Sequence, residues 1–210
     1  MSETNNTNTA EYWNKIWSVE GLSTWRTYPK SFDYIVRACE DMSFTDFFKQ
    51  HKLSILDVGS GNGFLLQMLN ESKMETDLHG VDISEVAVQA LHDRGFGGTI
   101  QTLPPLEMGA DSFDIVIATE FLEHFKEPMV VMDELIRVAT EAVIISVPNN
   151  CLDHNELKEH YQKWDYTTIR EFLAKFHKIK HIDFEEVLDE MDCQGTRIIT
   201  PSIIAVCKLK

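Results

Sequence analysis

The chain has 210 residues, of which 43% are hydrophobic and 25% charged, the length of one domain and the composition of an ordinary globular protein, which excludes disordered and fibrous classes. Its 19 lysines and arginines stand against 34 aspartates and glutamates, a net charge of −15, so the overall field repels nucleic-acid backbones and anionic membrane surfaces, and DNA is not an expected partner. The four cysteines, Cys39, Cys151, Cys193 and Cys207, are widely spaced with no C-x-x-C pair; they read as free thiols in a reducing, cytoplasmic compartment.

In chain order, residues 1–10 are Asn/Thr-rich, with neither the basic nor the apolar region of a signal peptide, and read as a disordered start. Residues 11–50 read as helices, with Tyr12, Trp13, Ile16 and Trp17 on one side and Phe32, Ile35 and Val36 later; so aromatic a stretch either packs or forms a lid. Within it, Arg26 of Trp25-Arg26-x-Tyr28-Pro29 can hold a carboxylate or stack on an aromatic ring at the surface. Strands are expected at Leu53–Val58, Leu78–Val81, Ile115–Ala118, Ala142–Val147, Ile179–Phe184 and Ser202–Lys208, with a weaker one at Thr99–Gln101. Between them come helices whose core faces carry Phe64, Leu65, Met68 and Leu69; then Val86, Ala90 and Leu91 behind a Ser84 cap; then Met129, Met132, Leu135 and Ile136 behind Pro128. Thr168 and Glu171 have capping-box spacing ahead of Phe172, Leu173 and Phe176. The longest apolar run, Ala142–Val147, is far too short to span a bilayer, so no membrane insertion is expected. Strands alternating with helices predict an α/β protein: a single-domain, Rossmann-like doubly wound sheet of about seven strands over residues 51–210, with the helical lid in front.

The most informative segment is the strand Leu53–Val58 running into Gly59-Ser60-Gly61-Asn62-Gly63-Phe64. Alternate glycines permit positive φ and close ligand approach, at the carboxyl end of a strand where open α/β sheets bind ligands. Phe64 breaks the G-x-G-x-x-G spacing, because the third glycine comes one residue early, and no Walker lysine follows. The run Leu56-Asp57-Val58-Gly59-Ser60-Gly61-Asn62-Gly63 resembles the first motif of class I S-adenosylmethionine-dependent methyltransferases. Gly80-Val81-Asp82-Ile83-Ser84 is similar to their second motif, and Ser112-Phe113-Asp114-Ile115-Val116 to the lead into their fourth strand. The resemblance implies S-adenosylmethionine as cofactor, with the Gly59–Gly63 backbone and neighbouring Phe64 around its methionyl part, Asp57 orienting the loop and Ile83 against the adenine. Asp82 is placed to accept both hydrogen bonds of a ribose diol. Many relatives carry an acid after the third strand for the adenine amino group; here Gln101 is the nearest acceptor.

After the fourth strand comes Ala118-Thr119-Glu120-Phe121-Leu122-Glu123-His124, whose Thr119 and Glu120 would face the cofactor. If this run is helical, Glu120, Glu123 and His124 share one face. Two carboxylates and an imidazole suit a divalent ion such as Mg²⁺ or Mn²⁺, and His160 can complete the set. Quinone-biosynthesis O-methyltransferases and small-RNA 3′-terminal 2′-O-methyltransferases have a similar E-x-x-E-H element and a later histidine. The alternative without metal makes His124 a general base beside Glu123. Asp153-His154 is another possible ligand pair and reads as a solvated loop. The expected activity is therefore methyl transfer to a small-molecule acceptor, a hydroxyl oxygen first. Rival readings are a metal-dependent RNA 2′-O-methyltransferase, a non-catalytic cofactor-binding module acting through a partner, and, third, a nicotinamide oxidoreductase. Oligomeric state is not legible.

Overall fold

The computed structural model describes residues 8–19, 30–43, 51–149, 160–193 and 196–210, without the side chains of 19, 190–193 and 196–200. Two helices, α1 (Ala10–Val19) and α2 (Lys30–Ser43), precede the sheet. Then follow β1 (Leu53–Val58), α3 (Phe64–Glu71), β2 (Thr76–Asp82), α4 (Glu85–Asp93), β3 (Gly97–Ile100), β4 (Phe113–Thr119), α5 (Pro128–Val138), β5 (Ala139–Pro148), α6 (Tyr166–Leu173), β6 (His181–Cys193) and β7 (Thr196–Lys208). The seven strands form one sheet in the order β3-β2-β1-β4-β5-β7-β6. β1 to β5 run parallel, and β7 lies antiparallel between β5 and β6. The expected doubly wound α/β sheet is thus present.

Strand alternation builds two cores. Leu53 and Ile55 of β1, with Ile115, Ile117 and Ile144, pack under α2, α3 and α4 through Ile35, Cys39, Leu65, Leu69 and Leu91. Leu56 and Val58, with Val116, Val143 and Ile145, face α5 and α6 through Met132, Leu135, Ile169 and Phe172. Each fully buried aliphatic side chain contributes about 1.5–3 kcal/mol, so both layers of helices are fastened along most of the sheet. The strand order reverses between β1 and β4, and at such a switch point open α/β sheets bind ligands at the strands' carboxyl ends.

Several boundaries differ from expectation. β6 starts two residues after Ile179 and runs on to Cys193, and β7 begins at Thr196 rather than Ser202; the two pair with each other along their whole length, past the reach of β5. The core face of α3 is Leu65, Leu66 and Leu69, with Phe64 and Met68 only half-buried, and that of α4 is Ala87, Val88 and Leu91. α5 buries Met132, Leu135 and Ile136 as expected, together with Val131 and Val138, while Met129 is only half-buried. α6 is capped one turn earlier than expected: Asp165 accepts from the Thr168 N–H and the Thr168 hydroxyl accepts from the Asp165 N–H, so Thr168 is the inner member of the box and Glu171 has no part in it. No helix of the described residues is long and apolar enough to cross a membrane.

Candidate active site

The glycine loop is built by the end of β2. Gly59 and Ser60 both donate to the Val81 carbonyl, at 2.8 and 3.1 Å, which turns the chain sharply out of β1. Gly59, Gly61 and Gly63 take φ of 74°, 52° and 77°. At Gly61 two constraints meet, the left-handed backbone and the ring of Trp17, which occupies the space a Cβ would need. Asp82, buried at the end of β2, ties the loop down: Oδ2 accepts from the Gly61 N–H and Oδ1 from the Ser84 N–H, both at 2.9 Å. Burial pushes its carboxyl upward, against the pull of these backbone donors. Asp57 is also buried, and its Oδ1 has no hydrogen-bond partner among the described residues. Burial, with the Asp82 charge adding, pushes its carboxyl up to about 7. Ser60 and Asn62 are buried in the loop, and Ile83 is half-buried beyond it. Phe64 lies beneath the Arg94 guanidinium, 4.6 Å from it, a contact with the end of α4. The Gln101 amide oxygen, expected to meet an adenine amino group, accepts the Glu107 N–H at 2.9 Å.

The segment after β4 departs from the expected helix. Thr119 is half-buried at the strand end, and Glu120 then takes a left-handed φ of 46°. That strained backbone is pinned by Ser146 of β5: the Glu120 N–H donates to its carbonyl and its hydroxyl oxygen, and its hydroxyl donates to Glu120 Oε1 at 2.9 Å. A single 3₁₀ turn, Leu122–His124, follows. Glu120, Glu123 and His124 therefore do not share a helix face, which corrects the four-ligand expectation. The group that comes together is Glu123, His124 and His160, with one donor atom of each within 4.8 Å of the others.

His160 is delivered by backbone, because the Tyr161 and Gln162 N–H groups donate to the Glu123 carbonyl at 2.8 and 3.2 Å. The two imidazole rings lie edge to face, 4.9 Å between centroids. Glu123 is fully buried, and neither of its carboxylate oxygens has a hydrogen-bond partner among the described residues. Burial drives its carboxyl well above the usual range, and the charge of Glu120 adds to the shift. Glu120 itself is raised by burial, with hydrogen bonds from Ser146 and Ser202 opposing. A buried, unpartnered carboxyl beside two imidazoles is deficient in positive charge; a divalent ion or a proton satisfies it.

α1 lies across both halves. Thr9 caps it, its hydroxyl oxygen accepting from the Tyr12 N–H at 3.2 Å. Trp17 covers Gly61, Asn14 accepts from the Ser84 hydroxyl at 2.7 Å, and Trp13 meets His124 edge to face at 5.1 Å. α1, from the stretch read as packing or a lid, lies against the glycine loop and His124, and the Asn8 and Asn14 contacts that fasten it were not foreseen. For Ser146 and Ser202, a lone hydroxyl inside the buried runs of β5 and β7 was the available signal; Asn14, beside Lys15 on a half-exposed helix, offered none. Arg26, Tyr28, Asp153 and His154 lie outside the described residues.

A family profile described as "Methyltransferase domain" matches residues 49–186. The mitochondrial ubiquinone biosynthesis O-methyltransferase of Saccharomyces cerevisiae is 30% identical over 102 residues, 46% of this chain and 33% of that protein; the chain thus matches about a third of the curated relative's length. Among solved structures, magnesium protoporphyrin IX methyltransferase from Synechocystis PCC 6803 with bound SAM superposes with a TM-score of 0.63 at 18% identity, over 99% of this chain and 98% of that one. The methyltransferase domain of bacterial CtHen1 gives 0.61 at 16% identity, over 85% and 97%. These two likenesses concern the fold.

Proposed function

Because the chain belongs to the methyltransferase-domain family, we propose that it moves the sulfonium methyl of S-adenosylmethionine to a hydroxyl oxygen of a small molecule, with Glu123 and His124 serving the acceptor. The observation that carries the acceptor side is the Glu123–His124–His160 group, tied to the glycine loop through the adjoining Phe121, whose ring lies against Gly59. The cofactor side fits the donor. Two buried carboxylates, Asp57 and Asp82, face a loop short of positive charge, and the sulfonium nucleoside brings both a cation and a diol.

Methyl transfer is an in-line displacement. The acceptor oxygen–carbon bond forms as the sulfur–carbon bond breaks, the sulfonium becomes a neutral thioether, and the hydroxyl proton must leave. The chain's contribution is alignment and proton removal. Asp82 would hold the ribose end and the Gly59–Gly63 backbone the methionyl part of the bound donor, and an imidazole nitrogen of His124 would take the acceptor's proton. Trp13 and Trp17 exclude water from above. Glu123, His124 and His160 also have the donor set for Mg²⁺ or Mn²⁺, which would supply Lewis-acid activation of the hydroxyl.

The test uses labelled S-adenosylmethionine with catechol and with an aliphatic vicinal diol as acceptors. We expect transfer to at least one, loss on His124→Ala, and binding of S-adenosylhomocysteine but not NAD by calorimetry. If the ion is used, EDTA abolishes transfer, Mn²⁺ restores it, and His160→Ala matches His124→Ala, since ligands of one ion act as a unit. Binding of NAD alone, or transfer unaffected by both chelator and His124→Ala, overturns this reading.

A further inference from the structure

We infer that α1 is a cofactor-responsive latch in which Asn14 is a positioning residue, setting cofactor affinity through Ser84 and Asp82 and carrying the state of the cofactor site to His124. The inference rests on the cofactor reading above and goes beyond it by assigning work to an element outside the sheet.

The 10-residue helix is held at two separate places. At the cofactor end, Asn14 Oδ1 accepts from the Ser84 hydroxyl at 2.7 Å and, more weakly, from the Val86 N–H at 3.5 Å. Ser84 is the cap of α4: its hydroxyl oxygen accepts from the Ala87 N–H at 3.2 Å, and its own N–H donates to Asp82 Oδ1. The other Asp82 oxygen holds Gly61, and Gly61 lies under Trp17. The contacts therefore form a closed circuit, Asn14 to Ser84 to Asp82 to Gly61 to Trp17, that begins and ends on α1. At the catalytic end, the Asn8 amide donates to the His124 carbonyl at 3.3 Å, the Trp13 indole N–H donates to Asn8 Oδ1 at 3.3 Å, and the Trp13 ring meets the imidazole.

What makes this a latch as well as packing is the partial burial of the helix. Among the described residues no side chain of α1 is fully buried, and Glu11, Lys15 and Ser18 are exposed, which places its docking in the range where local opening occurs. A ribose diol arriving at Asp82 must share or replace the Gly61 and Ser84 donors, and α1 meets both of these residues, Gly61 through Trp17 and Ser84 through Asn14. Occupancy of the cofactor site and docking of α1 are then linked, and by reciprocity whatever the cofactor adds to docking, docking adds to cofactor affinity. Trp13 is on the same side of the helix as Trp17, one turn away, so docking at one end places the ring against His124 at the other.

The experiment uses the full chain, S-adenosylhomocysteine, calorimetry and amide hydrogen exchange. In the wild type the ligand slows exchange across α1 and moves the His124 ring resonance. Asn14→Ala should weaken the ligand about tenfold, the scale of one hydrogen bond, and abolish both ligand-dependent effects. Ser84→Gly removes the hydroxyl while retaining a tolerated cap residue; it should weaken the ligand similarly, and the double variant should bind no worse than the weaker single one, because the two residues act in series. An Asn14→Ala chain with wild-type affinity and intact ligand-dependent protection of α1, or a double variant whose losses add, overturns the inference alone. A wild-type chain that binds no S-adenosylhomocysteine overturns it together with the reading on which it rests.

Discussion

Replacing Asp57 with asparagine should make the ligand-free protein more stable at neutral pH relative to acid, by an amount the structure specifies. Asp57 is buried, one of its oxygens is unpartnered, and its carboxyl is pushed from the ordinary 3.8 up to about 7. A carboxyl with a raised folded-state value favours the fold fully below its unfolded value and loses that contribution as pH rises through the folded value. Between the two, the folded chain holds one proton that the unfolded chain has released, so this group lowers stability by about 1.36 kcal/mol per pH unit. From pH 4.5 to pH 6.5 the loss is roughly 2–3 kcal/mol. Asparagine does not titrate and removes that slope. The cost of an amide in place of a carboxyl is the same at both pH values and cancels in the comparison, as do the slopes from Glu120 and Glu123. Urea unfolding of ligand-free wild type and Asp57→Asn at the two pH values, followed by circular dichroism, measures it. A difference between the two proteins that is the same at both pH values would show that Asp57 is ionised in the folded chain and would refute the reasoning.

Asp82→Ala should weaken S-adenosylhomocysteine by more than tenfold in calorimetry, since hydrogen bonds to a charged group contribute about 1.5–3 kcal/mol each; an unchanged dissociation constant would reduce Asp82 to a tether for Gly61 and Ser84. Asp189→Ala should cost about 1–3 kcal/mol in thermal unfolding, because its buried carboxylate accepts from both the N–H and the hydroxyl of Ser31 at the start of α2, at 3.0 and 2.7 Å. An unaltered Tm would mean that water replaces it fully. Gly61→Ala should destabilise by about 1–2 kcal/mol from the left-handed backbone alone, with a further loss from the Trp17 ring that a Gly61→Ala, Trp17→Ala double variant recovers; equal stability of the single and double variants would deny the close approach.

The sheet was legible because buried parallel strands are written as short β-branched runs, and β1, β4 and β5 contain Leu53–Val58, Ile115–Ala118 and Ala142–Val147 within their observed spans. β6 was underestimated for a physical reason: as an edge strand it carries Asp183, Glu185 and Glu186 among its apolar positions, and such a stretch has no buried run to announce it. The core faces of α3 and α4 slipped by a residue because each helix has more apolar positions than its buried stripe needs. The glycine loop was legible as glycine spacing plus Asp82, both of them local signals. The Glu123–His124–His160 group was legible in composition only. Nothing in Thr119-Glu120-Phe121 announces a left-handed Glu120; that conformation is imposed from β5 by Ser146, far away in the chain. His160 reached the site through backbone bonds to Glu123, which no side-chain pattern encodes.

β7 follows β6 in the chain yet inserts between β5 and β6. Until it does so, β5 presents an open edge over Ala142–Pro148, a stretch buried on both faces in the finished fold. A chain in which β5 forms before β7 docks exposes a seven-residue uncharged strand edge, the kind of edge that recruits other chains. Insertion of β7 quenches that edge, and the Asp189 cap on Ser31, 158 residues apart, can form only once the hairpin is in place. Yield on expression and recovery from denaturant should accordingly depend more on substitutions that slow the β6–β7 hairpin than on equally destabilising ones in α3 or α4.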